Sequence, residues 1–293
     1  MSTMQAEHLL SVGATLGEGP VWIEDALWFV DIKQNTVFRF DPASGDLKSW
    51  QAPEHVGWVL PSAQGGLIAG LQSGPHRFLP ETGAFERIAA TQPDLPDNRL
   101  NDAAIDGEGR IWFGTMDNLE ESETGVVFVL DKGVVTQTAL PPVTITNGPA
   151  ISPCGTRVYH VDTLGRKVIR HTIAADGTPD AGEVFLDFNG EARTDWGHPD
   201  GATCDAEGAV WLGFFGGSAA RRFAADGTMT HEVRFPVSNI TKVALGGADG
   251  YTAYATTARQ GLTEAQRAAE PLAGDLFTFR VEVPAPPARR ANT

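Results

Sequence analysis

The chain has 293 residues, 42% of them hydrophobic, with seven Trp and fifteen Phe, enough for a packed core and too many for a disordered chain. Lys and Arg number 22 against 37 Asp and Glu, and the formal charge of −15 disfavours binding to nucleic-acid phosphates or anionic lipids. Cys154 and Cys204 read as free thiols, and neither a signal-like start nor a membrane-length apolar run is present, so a soluble cytoplasmic protein, a monomer or weak dimer, is expected.

In chain order, one phrase recurs: a turn of Asp/Gly type followed by a β-branched and aromatic run. It reads IEDALWFVDI (23–32), SAQGGLIAGL (62–71), DGEGRIWFGTM (106–116), SPCGTRVYHVD (152–162), DAEGAVWLGFF (205–215) and GADGYTAYATT (248–257). Anchored on Trp28, Leu67, Trp112, Tyr159, Trp211 and Tyr254, the repeats are 39, 45, 47, 52 and 43 residues apart. Strand-rich repeats of this length are the signature of propeller blades. The repeated aromatics are expected to pack between blades, and the Asp-x-x-Gly turns to close hairpins.

A second hairpin follows each phrase, from VFRFDPASGDLKSW (37–50) to LFTFRVEV (276–283), giving four strands per repeat. The expected fold is therefore an all-β, six-bladed β-propeller forming one domain over 1–293, with an ordered core of about 8–284 and a Pro/Ala/Arg-rich tail. The last repeat is one strand short, and HLLSVGA (8–14) is expected to supply it and close the ring. TEAQRAAEP (263–271) is the one helical stretch, expected as a decoration at the channel mouth or a blade edge.

The segments just before each phrase should line the central channel: LGEGPVW (16–22), HVGWVL (55–60), NRLNDAAID (98–106), ITNGPAIS (145–152), GHPDGATCD (197–205) and NITKVAL (239–245). Glu18, Asn147 and Asp200 hold corresponding places beside Gly or Pro, with Asn101 at that place in the third repeat. These side chains either cap strands or converge on the axis around one ion. Two carboxylates with amide oxygens suit a hard divalent cation, and so few protein ligands leave positions for water or substrate.

Other chemistry finds little support. G-x-S-x-G, H-E-x-x-H and a phosphate-binding Gly-rich loop are all absent. His76, His160, His171 and His198 are scattered, and only His198, beside Pro199-Asp200, is a candidate for lining a pocket. Trp58 and Trp196 either pack or stack on a sugar face.

LGEGPVW, NRLND, GRIWFGTM, ITNGPAISPCG, PDGATCDAEGAVW and TTARQGLTEAQRAAEPLAGDLF, in that order from about residue 12 to 280, resemble the regucalcin/gluconolactonase family of six-bladed propellers. The likeness is greatest to bacterial sugar lactonases such as xylonolactonases. It implies a metal-dependent hydrolase that opens an aldono-lactone, of pentono or hexono type, to the aldonic acid. It further implies one divalent ion (calcium, zinc, magnesium, manganese or ferrous iron) on Glu18, Asn147 and Asp200, with Asp200 also the general base. Substrate contacts would fall on Arg99 and Asn101, and on an acidic residue among Asp117, Glu120 and Glu121. The competing readings are another ester or phosphotriester hydrolase on the same scaffold, and a propeller whose ion is purely structural.

Overall fold

The computed structural model describes residues 2–293 as six sheets, antiparallel but for one added edge strand, arranged around one channel. The first four blades each contain four strands. They begin with the innermost strands Gly17–Ile23, Val56–Pro61, Asn98–Ile105 and Thr146–Ile151. The fifth and sixth begin with His198–Cys204 and Ile240–Gly246. Neighbouring innermost strands touch in sequence, and the sixth touches the first, so the ring is complete.

Burial falls from the axis outwards. Val56–Pro61 and Thr146–Ile151 are buried along their whole length, whereas the outermost strand of the first blade, Leu47–Gln51, is mostly exposed. A strand covered on both faces needs continuous apolar or small residues, which explains VGWVLP and the small or apolar residues after Asn147 in TNGPAI. The repeated aromatics fill the gaps between blades: Trp22 stacks on Tyr254 of the sixth blade at 5.4 Å, and Trp28 stacks on Trp50 at 5.3 Å and meets Phe78 of the second blade edge-on. The Asp turns behave as their chemistry requires. Asp106, Asp205 and Asp249 each accept the backbone N–H two residues on, at 2.9, 3.1 and 3.0 Å.

The N-terminal segment lies across two blades. Glu7–Leu10, shorter than the expected 8–14 segment, pairs antiparallel with Leu276–Arg280 as the fourth strand of the sixth sheet. Ser2–Gln5, outside the expected blade pattern, runs parallel to Met229–Arg234 and gives the fifth sheet a fifth strand. The helix Glu264–Ala269 begins with a capping box between Thr263 and Gln266 and buries no residue, while Glu270 anchors its far end to Ser238. Among the described residues no helix is long and apolar enough to cross a membrane.

The tail is ordered on the protein. Arg289 donates to the carbonyls of Ile105, Ser152 and Pro153, and Ala291 bridges to Ser62, so the last residues lie across one end of the channel. The contacts come from backbone carbonyls at blade ends, which carry no sequence signal.

Candidate active site

Every innermost strand carries the same defect. Between Glu18 and Val21 the inner strand advances three residues while its neighbour advances two, from Val30 to Trp28. The same extra residue occurs between Leu100 and Ala103, Asn147 and Ala150, and Pro199 and Ala202, and in a shorter form in the second and sixth blades. A β-bulge re-aims side chains, and Glu18, Asn101, Asn147 and Asp200 all lie within or at the edge of these bulges. All four are buried, at 3, 5, 3 and 6% exposure. Small residues let the strands approach this closely: a Cβ on Gly57 would lie 2.6 Å from the Asn101 carbonyl oxygen, and one on Gly19 would lie 2.7 Å from that of Gly57.

A directed hydrogen-bond chain links the third blade to the fourth. Arg99 Nη1 donates to Asn101 Oδ1 at 2.6 Å, Asn101 Nδ2 donates to the Thr146 carbonyl at 2.8 Å and to Asn147 Oδ1 at 3.0 Å, and Asn147 Nδ2 donates to Thr163 Oγ1 at 3.0 Å. A guanidinium only donates and a carbonyl only accepts, so these two ends fix the orientation of the Asn101 amide. The Asn147 oxygen therefore faces Asn101 and retains a lone pair.

Glu18 and Asp200 lie in each other's field. Burial, followed by the charge of Asp102, raises the Glu18 carboxyl to about 7, although the Gly19 N–H bonds its Oε2 at 2.8 Å. Burial, then the charges of Glu18 and Asp102, push the Asp200 carboxyl well above the ordinary range. Among the described residues neither carboxylate makes a salt bridge, whereas Asp102 is paired with Lys242. No three His, Cys, Asp or Glu side chains converge among those residues. The site therefore offers two carboxylates and amide oxygen, an all-oxygen set that suits a hard cation.

Burial lowers the Arg99 guanidinium to about 10. Its Nε and the Lys33 Nζ both donate to Asn118 Oδ1, at 3.1 and 2.7 Å. Of the acidic candidates, Asp117 accepts the backbone N–H groups of Leu119, Glu121 and Ser122 and so organises its own loop, the first of these bonds being the largest cause of its depressed pKa. Glu121 is exposed and is not among the charges acting on Glu18, Arg99 or Asp200. Glu120 acts on both Arg99 and Lys33.

Lys33, Asp102, Asn118, Thr163 and Lys242 belong to the site region without having been singled out in the sequence. Asp102 and Lys242 carried a readable signal, as charged residues in otherwise apolar inner strands. Trp58 packs over Gly70 and near Phe113, and Trp196 packs against Phe188, Phe214 and the Arg221 guanidinium. Both tryptophans are therefore packing residues here. His198 is half-buried, with Nδ1 3.4 Å from the Thr163 carbonyl.

A large cavity of about 530 Å³ lies elsewhere, towards the tail-covered end of the channel. It is lined by residues that follow the site along each inner strand, among them Val21, Ile105, Ile151 and Leu245.

Residues 16–259 match the model of the SMP-30/gluconolactonase/LRE-like region. The chain belongs to this family. It is 33% identical over 273 residues to the 6-deoxy-6-sulfogluconolactonase of Pseudomonas putida, covering 92% of this chain and 93% of that protein. It is 34% identical over 280 residues to the L-arabinolactonase of Azospirillum brasilense, covering 93% and 91%. Among solved structures, regucalcin from Agrobacterium tumefaciens, described as a calcium-binding protein, superposes with a TM-score of 0.92 at 27% identity, over 100% of this chain and 99% of that one. These relationships place the chain among the hydrolases of carboxylic ester bonds.

Proposed function

We propose that the chain hydrolyses a sugar lactone of pentono or hexono type to the aldonic acid, with one divalent cation held by Glu18, Asn147 and Asp200. The observation that carries this reading is the pair of buried carboxylates on the first and fifth blades, without a salt-bridging partner among the described residues and beside the oriented Asn147 oxygen. The lactonases named among the relatives support the substrate class.

Lewis-acid polarisation of the lactone carbonyl is the chemistry such a cation supplies when bound. Asp200 accepts a proton from the attacking water, a role that typically contributes about 10²–10⁴-fold. The water oxygen bonds to the carbonyl carbon, the ring C–O bond breaks, and the proton passes to the departing ring oxygen, which becomes the new hydroxyl. The Arg99 Nη2 is the guanidinium nitrogen without a protein partner among the described residues, and it donates to substrate oxygen. Asn101 has both amide hydrogens engaged and offers only a lone pair, so it orients Asn147 more than it grips the sugar. Of the three acidic candidates, Glu120 is the one whose charge acts on Arg99, and we assign it to accept from a sugar hydroxyl.

The test is a pH-drop assay on a panel of pentono- and hexonolactones, using the metal-stripped chain with and without added calcium, manganese, magnesium, zinc or ferrous ion. Metal-restored hydrolysis of at least one lactone supports the reading, and no hydrolysis under any condition rejects it. Asp200→Asn that still binds metal and turns over at the wild-type rate would remove Asp200 as base.

A further inference from the structure

The channel is crossed by one ion pair that the proposed chemistry leaves unused. Lys242 Nζ, from the sixth blade, lies 2.6 and 2.7 Å from the two carboxylate oxygens of Asp102, on the third. In a six-membered ring these blades are opposite, so the pair spans the channel. Its side chains are 7 and 1% exposed. The lysine stem is held against the fifth blade, since a Cβ on Gly201, next to Asp200, would lie 2.6–2.8 Å from Lys242 Cβ, Cγ and Cδ. Asp102 directly follows Asn101, and both members of the pair line the inner end of the large cavity. The pair therefore lies where the inner strands pass from the ion-site residues to that cavity.

Its chemistry is unlike that of an ordinary packing contact. Asp102 lies in the field of both Glu18 and Asp200. Glu18, Asp102 and Asp200 are thus buried within one another's field without converging into a three-carboxylate cluster, and the cations that act on them are Arg99 and Lys242. A buried ion pair is no more stabilising than a well-packed apolar pair, so stability alone does not explain charges at this point.

We propose that Lys242 is a positioning residue for the ion site: it holds Asp102 as a neutralised partner, keeps a third carboxylate off the cation, and so leaves coordination positions open to water and substrate. The proposal rests on the reading that Glu18, Asn147 and Asp200 hold a divalent cation.

The test is a double-mutant cycle read by calorimetric titration of the metal-stripped full chain with calcium and, separately, manganese. Lys242→Met frees the Asp102 charge and is expected to tighten the cation by about tenfold or more, because one unit charge acts at short range in a buried site. Asp102→Asn leaves the lysine unpaired and is expected to weaken the cation by about tenfold. The double variant restores the net charge and is expected to lie within about threefold of wild type. Water-proton relaxation by bound manganese should fall in Lys242→Met, as Asp102 displaces water, while lactone turnover drops.

A merely structural pair would lower the melting temperature in both single variants without moving affinity in opposite directions, and that result overturns the proposal. If Lys242→Met does not fold, Asp102→Asn and the double variant decide: wild-type affinity in Asp102→Asn overturns it. A wild-type chain that binds no divalent ion overturns both the ion-site reading and this proposal. Wild-type binding with unshifted variants overturns only the latter.

Discussion

Asn101 Nδ2 donates to Asn147 Oδ1 at 3.0 Å, joining the third blade to the fourth at the point where their inner strands bulge. This bond aims the amide oxygen that the proposed cation would use. Asn101→Leu keeps the side-chain volume and removes the donor to the Thr146 carbonyl and Asn147 Oδ1 without adding a charge. Loss of such an outer partner typically weakens metal binding by about 10–100-fold. Calcium titration should show that loss, apart from the lower melting temperature expected when the buried Thr146 carbonyl loses its donor.

The metal-free chain should respond to pH in an unusual direction. The Glu18 carboxyl is raised from 4.5 to about 7. The folded state then holds more protons than the unfolded state between these values, so stability is greatest below about 4.5 at this group and is lost as pH rises towards 7. Added cation opposes that loss. Thermal melts with chelator from pH 5 to 8 should show a falling contribution, and the melting-temperature gain from calcium should be larger at pH 8 than at pH 5.

Arg99→Lys keeps the charge and removes the planar fork that reaches Leu100, Asn101 and Asn118 at once. The expected result is a KM raised by about tenfold, equivalent to about 1.4 kcal/mol, with a smaller fall in kcat. Steady-state kinetics on the best lactone of the panel checks this.

Gly57→Ala adds no chemistry and touches no substrate, yet its Cβ would lie 2.6 and 2.7 Å from the carbonyl oxygens of Asn101 and Leu100. Backbone must move to admit it. A loss of about 1–3 kcal/mol of stability is expected from overpacking, with activity reduced through the displaced Asn101. Denaturant unfolding and the lactone assay read the two effects separately.

The sequence by itself determined the six blades, because each repeat must carry its own turn and its own buried run. It also marked Glu18, Asn147 and Asp200, because a bulge needs a small or cyclic residue beside the re-aimed side chain, and E-G-P, N-G-P and D-G-A supply it. The Asp106 and Asp205 turns were legible for the same reason, since their bonds are local. Only the tertiary structure decided that Lys242 meets Asp102, that Lys33 and Arg99 share Asn118, and that the tail covers the far end of the channel. Apart from the Arg99–Asn118 bond within the third blade, these contacts join residues 85–184 positions apart, on different blades or between a blade and the tail. Local pattern encodes a strand and its turn, but closure of the ring sets which side chains face one another across it.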